Sequence, residues 1–356
     1  KDNEKRMTTE EQFMARALEL ASRGLGAVSP NPLVGCVIVR DGKIIGEGWH
    51  QKHGKAHAEV NAVLDTGDES LVNGSDLYVT LEPCAHTGKT PPCADLLVRL
   101  KPRRVVIAHT DPNPLVSGKG IGKLTDAGIE VLNGVLESQA RHLNRRFLRF
   151  MTDHRPYIIL KWAQTADRLI ARENLESKWI SGTLSRALVH RWRAEEDAVL
   201  VGTRTAIHDN PLLTVRDWTG RNPVRIVVDR FLRLPQHLHL LDGAVRTIVY
   251  NVLRHEEKSH LLMVRLDEND FLSQLLGDLH RRDIQSVIVE GGAFTLQQFI
   301  DSGHWDEARI FESARTFGKG VNAPQLRGQK VDSARIGDDE LSLWVPQRST
   351  WHLVSR

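Results

Sequence analysis

The sequence predicts two α/β domains in tandem. Three observations point there. A chain of 356 residues is long enough for two domains of ordinary size. Strand-like and helix-like segments alternate through both halves. A polar stretch ending in proline, Met151-Thr152-Asp153-His154-Arg155-Pro156, separates the two patterns. We place the boundary there, giving domains 1–152 and 153–356.

Composition narrows the function. Apolar residues make up 40% of the chain, enough for full cores. The net charge is +3 with both signs interspersed, too mild a balance to argue for nucleic acid or a membrane surface. No apolar run approaches the roughly 18 residues of a membrane span, and the first residues lack a signal-peptide core. Three cysteines exclude a disulfide scaffold and fit a reducing cytoplasm.

In the first half, Thr8-Thr9-Glu10-Glu11 is a capping box ahead of a helix that carries Phe13, Met14, Ala17, Leu18 and Ala21 and closes at Gly24. Val34 to Arg40 and Ile44 to Gly48 form a hairpin about Asp41-Gly42. A helix bears His57 and Glu59. Leu77 to Leu81 is a buried strand, and the next helix starts near Pro92. Val105 to Ala108, Ile121 to Ala127, Ile129 to Leu132 and Glu137 to Arg149 continue as strand, helix, strand, helix. In the second half we expect strands at 157–163, 198–202, 225–228, 247–250, 286–290, 343–345 and 352–354, with helices at 183–194 and 271–281. The strands near 310 and 345 suggest an antiparallel edge.

The chemistry is densest between His57 and Cys93. One imidazole (His57) and two thiols (Cys84, Cys93) supply three tetrahedral zinc ligands and leave a fourth position to water, the mark of a catalytic zinc site. Glu59 lies two residues past His57, where its carboxylate can shuttle the water's proton without ligating. His86 is a rival ligand within the inter-cysteine loop, and Cys36, in mid-strand, reads as a core thiol. Gly118-Lys119-Gly120-Ile121-Gly122 looks like a phosphate loop but lacks the required spacing, so it reads as a loop entering a helix. Glu290-Gly291-Gly292 stands at a strand-to-helix junction and serves equally as a phosphate approach or as a tight turn.

His57-Ala58-Glu59 followed by Glu82-Pro83-Cys84-x-His86-x-Gly88-Lys89-Thr90-Pro91-Pro92-Cys93 resembles the bifunctional riboflavin-biosynthesis deaminase/reductase family, which is set apart by its long inter-cysteine loop. The second half carries that family's reductase pattern: Ser177 to Gly182, Arg191 to Ala194, Asp197 to Gly202 and Asp209 to Arg216. The resemblance implies a cytidine-deaminase-like α/β/α domain followed by a dihydrofolate-reductase-like α/β domain that uses NADPH. It implies zinc-dependent hydrolytic deamination of a phosphoribosylamino pyrimidinone, then reduction of the ribosyl group to ribityl. By the same resemblance Asn31, His50, Lys89 and Thr90 contact the base and phosphate. Ala163, Trp179, Thr205, Asp209 and the run Gly291, Gly292, Ala293, Phe294 and Thr295 hold the dinucleotide. Ser177, Arg193, Leu213, Arg216 and Glu290 hold the reductase substrate, the arginines suiting a ribose phosphate. Asp209 and Glu290 are the candidate acids of the reduction, and Arg230 could meet the extra NADPH phosphate.

The family also implies a homo-oligomer, dimer or tetramer. Two departures stand out: Thr165-Ala166-Asp167-Arg168 replaces a Ser-Leu-Asp-Gly run, and Asn210 stands where a second Asp is common. Two other readings compete. A zinc deaminase of another nucleoside or of tRNA, with an unrelated second domain, predicts a short Cys-x-x-Cys spacing and a basic face, and neither is seen. A regulator stapled by structural zinc predicts four protein ligands.

Overall fold

The computed structural model describes residues 7–86, 91–114, 116–175 and 180–347. They fall into two compact units that part after Asp153. Among the described residues no helix is long and apolar enough to cross a membrane.

The first unit runs α1 (Thr9–Ser22), β1 (Gly35–Arg40), β2 (Lys43–Trp49), α2 (Ala58–Asp65), β3 (Asp76–Val79), α3 (Cys93–Leu100), β4 (Arg104–Ile107), α4 (Lys119–Asp126), β5 (Glu130–Asn133), α5 (Glu137–Leu143) and α6 (Arg145–Asp153). The sheet order is β2-β1-β3-β4-β5, with β1 antiparallel to both neighbours and β3, β4 and β5 parallel. Side chains alternate along each strand. Ile38, Leu77 and Val105 therefore face Ala62, Leu97 and Leu124 of α2, α3 and α4. Val37, Tyr78 and Val106 face Met14 and Leu20 of α1 and Ala140 of α5. The capping box at Thr8 is formed, a contribution of about 1 kcal/mol to α1.

The expected single helix over 137–149 is two helices broken at Asn144. Its amide turns inward, accepting the Leu33 N–H and donating to the Leu33 carbonyl, each at 2.8 Å. The polar stretch at 151–156 is not all linker, because α6 runs on to Asp153.

The second unit runs β6 (Tyr157–Thr165), β7 (Leu169–Arg172), α7 (Thr183–Glu195), β8 (Ala198–Gly202), α8 (Thr203–Asp209), β9 (Val224–Val228), β10 (Thr247–Asn251), β11 (Glu256–Lys258), β12 (Leu261–Arg265), α9 (Phe271–Arg281), β13 (Ser286–Val289), α10 (Ala293–Asp301), β14 (Glu307–Ser313), β15 (Gly320–Asn322), β16 (Gln329–Ile336) and β17 (Asp339–Val345). Among the described residues its main sheet has ten strands, in the order β11-β12-β10-β9-β8-β13-β6-β14-β17-β16. The strands from β12 to β14 are parallel, and β17 closes the expected antiparallel edge against β14. Parallel strands are covered on both faces and read as continuous apolar runs, as Ala198 to Gly202 does. The expected strand at 352–354 lies outside the described residues.

From β8 the chain proceeds to β9 on one side, and from β13 to β14 on the other. Neighbouring strands whose connections diverge open a crevice at their carboxyl ends, where open α/β sheets bind ligands.

The missing glycine at Arg168 is tolerated. Arg168 takes a left-handed φ of 59°, and its N–H closes the turn onto the Thr165 carbonyl at 2.8 Å. Asp167 accepts the backbone N–H groups of Phe317 (3.0 Å) and Gly318 (2.7 Å). A non-glycine residue costs about 1–2 kcal/mol in this conformation. The two backbone hydrogen bonds to Asp167 hold the turn closed against that cost.

Candidate active sites

The first site assembles where β2 and β3 end and α2 and α3 begin. His57 is the N-cap of α2, and Cys93 is the first residue of α3, just after the Pro92 cap. The His57 Nδ1 lies 3.6 Å from the Cys84 Sγ and 3.4 Å from the Cys93 Sγ. The three ligand atoms fall within 4.8 Å of one another. One nitrogen and two sulfurs at that spacing fit a zinc ion with an open position. Of the two thiols Cys84 ionises first, because the Cys93 thiol donates to it, with His57 and the Cys93 backbone N–H (3.3 Å) adding to the pull. His86 and Cys36 are not part of this group. Cys36 is fully buried in the core, where burial and the nearby Glu59 push its thiol up.

Glu59 is 3% exposed in the first turn of α2. Burial, reinforced by Cys84, raises its pKa, and its carboxylate is within hydrogen-bonding reach of the Cys93 thiol. A raised pKa makes the carboxylate a better proton acceptor than an exposed glutamate.

Asn31 and His50 meet beside this cluster. The His50 Nδ1 is 3.0 Å from the Ala56 carbonyl, so it must carry the proton. Nε2 is then left to accept from the Asn31 amide, 3.0 Å away. The rings of His50 and His57 stand edge to face with centroids 5.5 Å apart. Burial lowers the His50 pKa and keeps the ring neutral. The expected contacts Lys89 and Thr90 lie outside the described residues.

The second site lies at the divergence of β8 and β13. Gly291 follows β13 so tightly that a Cβ there would stand 2.6 Å from the Val201 Cα. Gly292, with φ 64°, is the N-cap of α10, and a Cβ on it would stand 3.1 Å from the Thr205 Oγ1. Thr295 sits against Gly202 at the end of β8. The structure thus joins Thr205, Gly291, Gly292 and Thr295 around the N-terminus of α10, whose unpaired N–H groups and positive dipole end suit a phosphate. Ala293 and Phe294 continue that turn, with Phe294 68% exposed. Asp209 ends α8, and Ala163 lies on β6 paired with Phe311. Trp179 and Ser177 lie outside the described residues.

Glu290 gathers the substrate positions. Arg193 grips its carboxylate with both prongs, Nε to Oε1 at 2.7 Å and Nη2 to Oε2 at 2.8 Å. Lys161, which the sequence reading missed, approaches Oε2 at 3.6 Å. Burial alone would raise the carboxyl, but Arg193 and Lys161 outweigh it and hold it at about 2. Burial, with Arg193 adding to it, lowers the Lys161 pKa, while Glu290 opposes them. The Arg193 fork is thus taken by Glu290, while Arg216 is exposed. His190, also missed, accepts the Arg216 backbone N–H on Nδ1 at 3.1 Å and lies 3.5 Å from Asp217 through Nε2. The segment between is strained: Asn210 and Leu213 have φ of 39° and 52°. Such outliers cluster at ligand sites.

A model of the cytidine and deoxycytidylate deaminase zinc-binding region matches residues 7–109, and a model of the RibD C-terminal domain matches residues 156–342. The riboflavin biosynthesis protein RibD of Aquifex aeolicus is 42% identical over 331 residues, covering 91% of this chain and 92% of that one.

The chain belongs to the RibD family.

The Escherichia coli RibD is 37% identical over 375 residues, covering 93% and 97% of the two chains. A crystal structure from Thermotoga maritima, described as a diaminohydroxyphosphoribosylaminopyrimidine deaminase/5-amino-6-(5-phosphoribosylamino)uracil reductase, superposes with a TM-score of 0.88 at 39% identity. It covers 95% of this chain and 99% of that one. An Acinetobacter baumannii RibD superposes at 0.87 with 36% identity and the same coverage. The family joins a zinc-binding deaminase region to an NADPH-dependent reductase domain in riboflavin biosynthesis, and this chain carries both.

Proposed function

We propose that residues up to Asp153 deaminate 2,5-diamino-6-(5-phosphoribosylamino)pyrimidin-4-one and that the following residues reduce the product's ribosyl group to ribityl with NADPH. The observation that carries this is the convergence of His57, Cys84, Cys93 and a buried Glu59 in a chain whose other unit has strand connections that diverge at β8 and β13, where open α/β sheets bind ligands.

Zinc, when bound by His57, Cys84 and Cys93, supplies the Lewis acidity that makes water nucleophilic near neutral pH. Glu59 takes a proton from the attacking water and returns it to the amino nitrogen that leaves as ammonia. Asn31 and His50 orient the pyrimidine: Asn31 fixes one edge of the imidazole and Ala56 the other, so the pair presents a single tautomer. Net, one water enters and one ammonia leaves.

NADPH, when bound across Gly291, Gly292 and Thr205, supplies a hydride for C1 of the ribose. The ring oxygen becomes a hydroxyl and needs a proton. Glu290, held ionised by Arg193 and Lys161, is a proton acceptor in the resting site, and it donates only after a proton reaches it from a partner such as Lys161. Arg216 holds the phosphate. We further propose that the protein works as a homo-oligomer in the cytoplasm, which chromatography with light scattering tests for the oligomer.

Dialysis against a chelator is expected to abolish ammonia release while the deaminated substrate still drives NADPH oxidation, and added zinc restores the first step. Ammonia release that persists without metal contradicts the assignment. For Arg216→Ala the reductase KM is expected to rise roughly tenfold or more, the worth of one charge-assisted contact, with kcat and deamination unchanged. An unchanged KM would remove Arg216 from the phosphate site.

His190 adds a pH dependence. Burial first, then Arg193 and Arg216, lower its pKa, with Asp217 and Glu290 opposing. The ring is therefore neutral above the ordinary imidazole range of about 6.5 and takes up a proton only below it. Protonation makes Nδ1 a donor and releases the Arg216 backbone. The reductase KM should rise as pH falls below that range, and His190→Gln should flatten the rise. A flat wild-type profile would sink this role.

A further inference from the structure

Glu82 takes no part in the chemistry above, yet it is the most heavily engaged carboxylate near the metal cluster. It is 3% exposed, and among the described residues no cation pairs with it. Its Oε2 accepts the backbone N–H groups of Asp111 (3.2 Å) and Gly118 (3.0 Å), and its Oε1 those of Gly120 (3.0 Å) and Ile121 (3.2 Å). Gly118 is the N-cap of α4, and Gly120 and Ile121 lie in its first turn. These N–H groups have no partner within a helix, and the dipole there favours an anion. The Gly118–Gly122 run that resembles a phosphate loop therefore already holds an anion, the Glu82 side chain. The Glu82 N–H in turn donates to the His109 carbonyl at 3.1 Å. One residue thus stitches the exits of β3 and β4 to the start of α4.

The chain then runs through Pro83 to Cys84. A Cβ on Gly120 would lie 2.0 Å from the Pro83 carbonyl oxygen, so α4 presses directly on the backbone that delivers the ligand. Beyond it, the Cys84 carbonyl accepts the Ala94 N–H at 3.1 Å. Cys84 is clamped on both sides, by α4 through Glu82 and by α3 through its own carbonyl and sulfur.

We propose that Glu82 is a positioning residue of the deaminase, which sets the Cys84 sulfur at its distance from His57 and Cys93. The proposal rests on Cys84 being a metal ligand. A Gln at this position keeps the shape and loses the charge. Its amide NH₂ would point at two of the four N–H donors, so the clamp must open.

The test uses full-length protein loaded with Co²⁺ in place of zinc. Wild type should show a thiolate-to-cobalt charge-transfer band. If it does not, the ligand assignment has failed, not the role of Glu82. For Glu82→Gln the expected results are shifted d–d bands and a cobalt affinity lower by about 10- to 100-fold, with deaminase kcat at full metal occupancy falling by a similar factor. The reductase rate should be unchanged. A wild-type cobalt spectrum and a wild-type kcat at full occupancy would overturn the proposal, even if the melting temperature fell. Should Glu82→Gln fail to fold, Gly120→Ala keeps the carboxylate and displaces the Pro83 carbonyl. It is expected to move the same bands and lower the same kcat, and an unmoved spectrum in that variant would overturn the proposal equally.

Discussion

Glu59→Gln should abolish ammonia release while the protein keeps its zinc and its reductase activity. Glu59 is not among the three converging ligand atoms, so removing its charge leaves the metal donors in place. What is lost is the group that moves the proton twice, from the attacking water and onto the departing amine. General acid–base catalysis by one positioned group is worth about 10²–10⁴-fold, and here one group serves both transfers. A fall of roughly three orders of magnitude or more in deaminase kcat is expected, with the KM changed little. Gln is isosteric and neutral at a site that is 3% exposed and already disfavours charge, so folding should not suffer. Zinc content is checked by metal analysis and the second step by NADPH oxidation on deaminated substrate. Deamination near the wild-type rate would remove Glu59 from the mechanism. Loss of zinc would make it a structural partner of the cluster.

Glu290→Gln should be nearly as severe, in the other half of the chain. The side chain is only 7% exposed, is gripped by both prongs of Arg193, and faces Lys161 at 3.6 Å. Removing the anion strands two cations, which is strongly destabilising when both stay charged. Burial already lowers the Lys161 pKa, and loss of the partner charge lowers it further, which eases the cost of leaving it unpaired. The variant is expected to fold, with an Arg193 that has lost its orientation. Reductase kcat/KM should fall by about 10²–10³-fold, the range of a positioned proton-transfer group, with deamination untouched. A reductase that survives the change would place the proton transfer elsewhere, with Asp209 the remaining candidate.

The metal cluster was legible because its parts are short-range in the chain. His57 and Glu59 flank one helix start, and Cys84 and Cys93 bracket one loop. The lone Cys36, in the middle of an apolar strand, read correctly as core. The capping box of α1 and the apolar runs of β8 and β13 likewise carry their structure in a few consecutive residues.

The elements that escaped lack such patterns. β16 is exposed along most of its length, so no alternation marks it, and α8 buries only Ala206. The roles that escaped depend on long-range contacts. Glu82 reaches N–H groups of residues 111 to 121, and no local feature announces that. Lys161 sits among Ile159, Leu160 and Trp162, where a lysine reads as an outward-facing charge until Glu290 arrives from the neighbouring strand end. His190 was within reach, since it lies three residues before Arg193 and shares its helix face. The Arg168 turn could not be judged from the sequence, because its anchor comes from Phe317 and Gly318, some 150 residues later.

In the proposed function one chain carries out two consecutive reactions on one phosphorylated pyrimidine. Following both products from a single sample tests this sequence of steps. Purified protein is given the diaminopyrimidinone ribosylamino phosphate without NADPH, and ammonia is followed to completion. NADPH is then added and its oxidation followed. One ammonia per substrate, then one NADPH oxidised per ammonia released, is the predicted result. NADPH oxidised before any ammonia appears, or ammonia with no oxidation afterwards, would contradict it.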